Sequence, residues 1–451
     1  MSKRLRPPPG SRSGSRSLKK RTGCEQCKRR KVKCDEQQPS CSRCVARGEV
    51  CTGNFHFDTW QIERPWITAT NSSTPGPALE DDTLRYWYDT ACLIMAMFPP
   101  PTNPLSYPLA RYLQRSRALR QAIQSVSSAH RHGFSPNGLS YALNQRNLAI
   151  VSLQGEITRI QSASSNRQTL LRTLTLSSLI LCISSSWLDH SGRDYGGEFL
   201  IGVRRVMPLI LDGELTDAFA FYILGLFLYC ECFSSYLVPA SQQLPADEAV
   251  LRAAGRAPFS TTVHPVTAVA TTLCPILTEI GYYYRRVVEG QGRSSDHERH
   301  LRRRLLDWEP PTGSPDEPWL LQLAEGYRDI GDIMLYQAQR ISTPIDPVDA
   351  SILMEKVLGI MDTIKNLPQN DTVINWMGPL LLIVGSELPA AFTQQRLLVK
   401  RSGSHLVSIS RIPVYATSAG LIEQIWSLRD QGEQVSWLEV MVGRGLALGL
   451  G

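Results

Sequence analysis

The first 22 residues contain no apolar stretch; they are mostly Arg, Lys, Ser and Pro. No secretory leader is therefore expected, which points to a reducing compartment, where clustered cysteines hold metal rather than pair as disulfides. Long hydrophobic runs are also missing. The longest uncharged apolar stretches, Thr173–Leu188 and Ala218–Cys230, fall short of the roughly 18–20 residues a membrane helix needs. They are expected to be buried helices, and no membrane partner is expected. There is no sustained strand-like alternation, no repeat of fixed period and no heptad pattern after the cysteine-rich segment. A sheet, a solenoid and an adjacent coiled coil are thereby excluded.

Catalytic patterns are equally scarce. The 8 histidines form no cluster. His297 and His300 are three apart, where a zinc-protease helix needs four. His130 and His132 flank Arg131 in a stretch that reads as a surface loop. Gly443, Gly445 and Gly449 resemble a dinucleotide fingerprint but lack the helix and acidic residue that motif requires. No enzyme is expected.

Acidic residues are few at the N-terminus. Residues 1–51 carry 15 Lys and Arg against 4 Asp and Glu, a surplus of eleven positive charges. The whole chain has a net charge of +7, so the other 400 residues net −4. A basic head on a mildly acidic body suggests that the head meets a polyanion. Within the head, Lys3-Arg4-Leu5-Arg6 and Lys19-Lys20-Arg21 are candidate import signals or phosphate contacts, on a tail too polar to fold.

What is present divides the chain into four: a basic tail (1–22), a cysteine cluster (23–52), a linker (53–80) and a body (81–451). The linker holds Phe55, Phe57, Trp60 and Trp66, then a Ser/Thr/Pro/Gly stretch. The body shows apolar residues at helical spacing, among them Leu84, Trp87, Ala91 and Met95, and Leu139, Leu143, Ile150 and Leu153. Further helical runs are expected near 196–211, 217–237, 266–288, 318–340, 350–366 and 413–429. The fold class is mostly α: a small metal-pinned finger followed by a large all-helical domain of one or two lobes.

Six of the 11 cysteines are Cys24, Cys27, Cys34, Cys41, Cys44 and Cys51. The unit C-x2-C-x6-C occurs twice with identical gaps. Two separate zinc tetrahedra would need eight thiolates; six suffice if two sulfurs are shared. The repeat therefore predicts a two-zinc cluster with approximate twofold symmetry. The other five cysteines, Cys92, Cys182, Cys230, Cys232 and Cys274, sit in apolar surroundings and read as core. Between Cys27 and Cys34 runs Lys28-Arg29-Arg30-Lys31-Val32-Lys33. A short helix held by metal would present these cations together, suited to the phosphates and guanine edges of duplex DNA.

The 28 residues from Cys24 to Cys51 resemble the fungal binuclear zinc cluster of transcription regulators. The resemblance implies that Cys24 and Cys41 bridge the metals. Cys27 and Cys34 would complete one site, and Cys44 and Cys51 the other. Pro39 matches the proline the family carries two residues before its fourth cysteine. Lys31, with Arg30 beside it, matches the position that reads a CGG-type triplet. Arg29, Lys33 and Arg43 are then candidate phosphate contacts, with Lys28 completing the basic run.

The body is similar to the regulatory region of the same family. The similar stretches begin at Gly192 (GRDYGGEFLIGVRRVMPLI) and His264 (HPVTAVATTLCPILTEIGYYYRRV). LLDWEPP, MGPLLLIVGSE and the segment LIEQIWSLRDQGEQVSWLEVMVGRGL follow. Val384-Gly385 stands where the family more often has Ala-Gly. The resemblance implies a nuclear, DNA-binding regulator acting at RNA polymerase II promoters, with transcription machinery or co-regulators as partners. Monomeric binding and a homodimer both fit the sequence.

Overall fold

The computed structural model describes residues 24–35, 41–49, 51 and 78–451, apart from 101, 133–135, 163–165, 212–217, 257, 260, 312–316, 345 and 369–372. The basic tail, Pro39 and all but the last residues of the linker, with its four aromatic residues, lie outside the described residues. The chain divides into two units, Met1–Gln61 and Ile62–Gly451. The first holds two short helices, α1 (Glu25–Arg29) and α2 (Ser42–Val45). The second begins with α3 (Ala78–Asp89), α4 (Ala110–Leu113), α5 (Arg117–His132), α6 (Pro136–Ser162) and α7 (Arg167–Leu188). It continues with α8 (Gly197–Ile210), α9 (Ala218–Ser234), α10 (Glu248–Ala254), α11 (Cys274–Val288) and α12 (Ser295–Leu306). The last elements are α13 (Pro318–Ser342), α14 (Pro347–Asn366), α15 (Gly378–Gly385), α16 (Thr393–Ser410), α17 (Pro413–Asp430) and α18 (Trp437–Gly443). Among the described residues there is no strand, only an isolated pairing of His264 with Ala268.

Proline and short polar caps mark where these helices start. Pro275, Pro318, Pro347, Pro379 and Pro413 occupy the first turns of α11, α13, α14, α15 and α17. There the missing N–H costs nothing and the fixed φ suits the helix. The side chains of Asp247, Ser294 and Asp346 accept backbone N–H groups at the starts of α10, α12 and α14. Ser436 and Glu439 form a reciprocal box at α18.

One expected helix is shortened. The helical run expected over 266–288 begins only at Cys274. Residues 264–273 form turns instead: His264 and Ala268 exchange backbone hydrogen bonds at 2.9 Å, and Ala268 has a φ of +50°, which no helix accommodates.

One large apolar cluster runs from Trp87 to Leu450, with a small satellite of Ala129, Ala142 and Leu188 beside it. At its centre α9 is buried from Phe219 to Ser234. By length and composition Arg167–Leu188 and Ala218–Leu237 could cross a membrane, yet 78% and 94% of their apolar windows are buried within the body. They are buried helices, as expected. The serines of α7 are satisfied locally: Ser177 and Ser178 donate to the carbonyls of Thr173 and Leu174. Ser184 and Ser185 accept from the buried Arg146 of α6. The five cysteines outside the cluster are all buried.

Two expectations are corrected. His130 and His132 close α5 rather than lie in a loop, and His130 is buried, its Nδ1 2.8 Å from the Tyr86 hydroxyl. Helical continuation brings the ring under α3, a placement that the local sequence does not encode. Leu143, expected on the apolar face of α6, is exposed, because that face is set by Ala142, Ala149 and Leu153 against α5 and α7.

Candidate metal centre and nucleic-acid interface

Cys24, Cys27 and Cys34 recur seventeen positions later as Cys41, Cys44 and Cys51, and the backbone repeats with them. Cys24 and Cys41 each precede a short helix. The Cys24 carbonyl accepts from Lys28 N–H at 3.0 Å, and the Cys41 carbonyl from Val45 N–H at 3.1 Å. Both helices end in the same turn. Lys31 N–H donates to Lys28 O and Val32 N–H to Cys27 O, each at 3.0 Å; Gly48 N–H donates to Val45 O and Glu49 N–H to Cys44 O, each at 3.1 Å. This paired closure needs a left-handed residue after the helix, normally glycine. The second half supplies Gly48 at φ +63°; the first places Lys31 there at φ +54°.

The repeated turns bring the sulfurs together. Cys24, Cys27, Cys34 and Cys41 form one group of four, and Cys24, Cys41, Cys44 and Cys51 another; within each, all ligand atoms lie within 4.8 Å of one another. Cys24 and Cys41 belong to both. A zinc–sulfur bond of about 2.3 Å implies a tetrahedron edge of about 3.8 Å. The Cys24–Cys41, Cys24–Cys44 and Cys27–Cys41 sulfurs are 3.8, 3.7 and 3.8 Å apart. The donor set fits zinc in chemistry and spacing. Among the described residues no other group of His, Cys, Asp or Glu meets the same geometric test.

As thiols these groups conflict. Burial pushes Cys27 and Cys41 up and Cys44 to about 11, while the backbone N–H of Cys27 holds Cys24 down at about 6. Sulfurs crowded without a cation cannot all ionise. A bound divalent cation removes that conflict.

The cations expected to meet DNA do not share one environment. Lys28, Arg29, Lys31, Lys33 and Arg43 are exposed. Arg30 is half-buried and turned inward. Its Nε donates to the Gln26 carbonyl at 3.1 Å, and its Nη2 lies 3.6 Å from the Cys44 sulfur and 4.0 Å from that of Cys27. The same guanidinium meets Glu49 at 3.3 Å. No local sequence signal singles out Glu49. The same holds for Asp35, which accepts from the Ser42 N–H at 3.2 Å and so fixes the start of α2. Aligning the two halves by their seventeen-residue offset does expose one such feature, the pairing of Lys31 with Gly48.

The body carries a separate feature. A cleft of about 1140 Å³ opens between α8, α9, α10, α11 and α12. Phe227, Leu228 and Pro275 give it an apolar wall, and its polar groups carry both charges, Arg205 and Arg286 with Asp247 and Glu279 among them.

Comparison with known proteins places both units. Residues 22–61 match the fungal Zn(2)-Cys(6) binuclear cluster domain, and residues 82–450 match the fungal specific transcription factor domain. The chain is 29% identical over 133 residues to an uncharacterized transcriptional regulatory protein of Schizosaccharomyces pombe, covering 25% of this chain and 24% of that one. It is 41% identical over 68 residues to a transcriptional regulator of a Cryptosporiopsis species, covering 15% of this chain and 14% of the relative. These matches thus span a quarter or less of each relative's length. No solved structure matches the chain. With a cysteine-rich finger that fits zinc and a helical body both matched, the chain belongs to the fungal zinc-cluster family of transcription regulators.

Proposed function

We propose that the chain is a sequence-specific DNA-binding regulator whose finger holds two zinc ions. Cys24 and Cys41 are the shared ligands; Cys27 and Cys34 complete one site and Cys44 and Cys51 the other. Zinc supplies the cross-link a core this small lacks, on the order of 10–16 kcal/mol. The protein's own residues do the reading. Lys31 meets the guanine edges of a CGG-type half-site, and Lys28, Arg29, Lys33 and Arg43 sit near phosphate. The protein acts in the nucleus at RNA polymerase II promoters, through transcription machinery or co-regulators recruited by the body, and performs no catalysis. Paired half-sites would recruit a second copy of the chain; one half-site suffices for a single finger.

The observation that carries this reading is the lysine in a glycine position. Two halves with the same backbone differ there, at Lys31 and Gly48. Retaining a strained side chain is explained when that side chain has work to do. Selection of bound sequences from random duplexes by the full chain tests the reading: enrichment of a CGG-type triplet supports it, and no enrichment by zinc-loaded protein refutes it. One enriched triplet marks a monomer and two at fixed spacing a dimer.

The cleft in the body favours one addition, control by a small molecule with an apolar part and polar groups of either charge. Mass spectrometry of the natively purified chain tests this: a small molecule released on denaturation supports it, and none refutes it.

A further inference from the structure

We propose that Arg30 is a positioning residue that clasps the two halves of the zinc cluster together rather than a DNA contact. The inference rests on the two-zinc reading of the finger. Cys27 belongs to one group of four sulfurs only and Cys44 to the other only. The Arg30 guanidinium lies against both, with Nη2 at 4.0 and 3.6 Å. Its other contacts hold it there. Nε is tied to the Gln26 carbonyl of its own helix, and Glu49, from the second half, meets Nη1 and Nη2 at 3.4 and 3.3 Å.

A planar guanidinium can serve several acceptors at once; a single ammonium cannot hold the same fork. The acceptors are suited to a cation. Six thiolates around two zinc ions carry a net charge of −2, and thiolate sulfur accepts charge-assisted hydrogen bonds. Arg30 therefore offsets cluster charge at one unshared sulfur of each metal site, and it also bridges the halves through Glu49.

The internal repeat supplies a control. Seventeen residues on from Arg30 stands Arg47, in the corresponding turn. Arg47 is exposed, and among the described residues its side chain meets no sulfur. Two arginines on equivalent backbones thus have different surroundings, and only one touches the cluster.

The test uses the full-length, zinc-loaded chain and two readouts. The first is the rate of zinc transfer to excess 4-(2-pyridylazo)resorcinol. Arg30→Gln should release zinc roughly three- to tenfold faster than wild type, the range for one partly exposed charge-assisted contact. Arg30→Lys, which keeps the charge but not the fork, should also release faster. Arg47→Gln should match wild type. The second is the salt dependence of DNA binding. Arg30→Gln should keep the wild-type slope, while Lys33→Gln should lower it by roughly 0.9, as loss of one phosphate contact does. If Arg30→Gln fails to load zinc, Arg30→Lys against Arg47→Gln decides. The inference is overturned if Arg30→Gln and Arg30→Lys release zinc at the wild-type rate, if Arg47→Gln accelerates release as much, or if Arg30→Gln lowers the slope like Lys33→Gln. Failure of wild type to carry two zinc ions would instead overturn the reading on which the inference rests.

Discussion

Replacing Lys31 by glycine should make the finger hold zinc better and read DNA worse. Lys31 has a φ of +54°. A left-handed conformation costs a residue with a Cβ about 1–2 kcal/mol. Glycine escapes that cost but loses more freedom on folding, about 0.5–1 kcal/mol. The difference leaves Lys31→Gly more stable by about 0.5–1 kcal/mol, or roughly two- to fivefold in apparent zinc affinity, since folding and metal binding are coupled. Lys31→Ala keeps the strain and removes the ammonium, so its zinc affinity should stay near wild type. Both variants should lose roughly 1–3 kcal/mol of discrimination between a CGG-type triplet and a single-base variant. The assay is zinc competition with a chelator, paired with binding to matched and mismatched duplexes at several salt concentrations. Gly48→Lys completes the comparison: it imports the strain into the second half and should weaken zinc binding without changing which triplet is preferred. If Lys31→Gly binds zinc more weakly than Lys31→Ala, the strain argument is wrong. If it retains full discrimination, Lys31 is not the base reader.

Other outcomes follow from the same structure. Cys41→Ala removes a sulfur common to both groups of four and should lower the zinc content by elemental analysis from two ions towards none, whereas Cys51→Ala should leave about one. Equal stoichiometry in the two variants would contradict sharing. In the body, Glu387 is buried between Arg340 at 2.7 Å and Arg429 at 3.1 Å. Glu387→Gln leaves two cations uncompensated and should cost about 3 kcal/mol by denaturant unfolding. Burial alone would raise the Glu387 pKa; Arg340 and Arg429 prevail and hold it at about 2, below the ordinary 4.5. Its contribution is therefore complete above about pH 4.5 and fades as pH falls towards 2, so the variant should lose that part of the acid dependence. A Cβ at Gly225 would lie 2.3 Å from the ring of His264, which is packed by Phe221, Tyr222 and Phe259. Gly225→Ala should destabilise the body by about 1–3 kcal/mol, and an unchanged melting temperature would show that the ring can move.

Much of the finger is legible in the amino-acid sequence. Six cysteines at two identical sets of gaps point to a metal cluster, and the structure gathers their sulfurs into two groups of four that have Cys24 and Cys41 in common. The helical class of the body is legible too, since apolar residues at three- and four-residue spacing require a helix to share a face. Long buried helices such as α9 are readable as apolar runs. Periodicity says that a face is buried but not against what. It therefore misplaces Leu143, and it gives no sign that the end of α5 at His130 is buried.

What only the tertiary structure decided is how groups far apart in sequence meet. Arg30 reads as one cation in a basic run; only its approach to Cys44 and Glu49 separates it from Lys31 and Lys33. Glu387, Arg340 and Arg429 carry no local pattern at all, and their pairing exists because α13, the segment after α15 and α17 converge. Local spacing determines which atoms can serve a metal or a helix face, because those constraints act within a turn or two of chain. Charge partners and close glycine contacts depend on where the folded backbone brings remote segments, and spacing along the chain does not encode that.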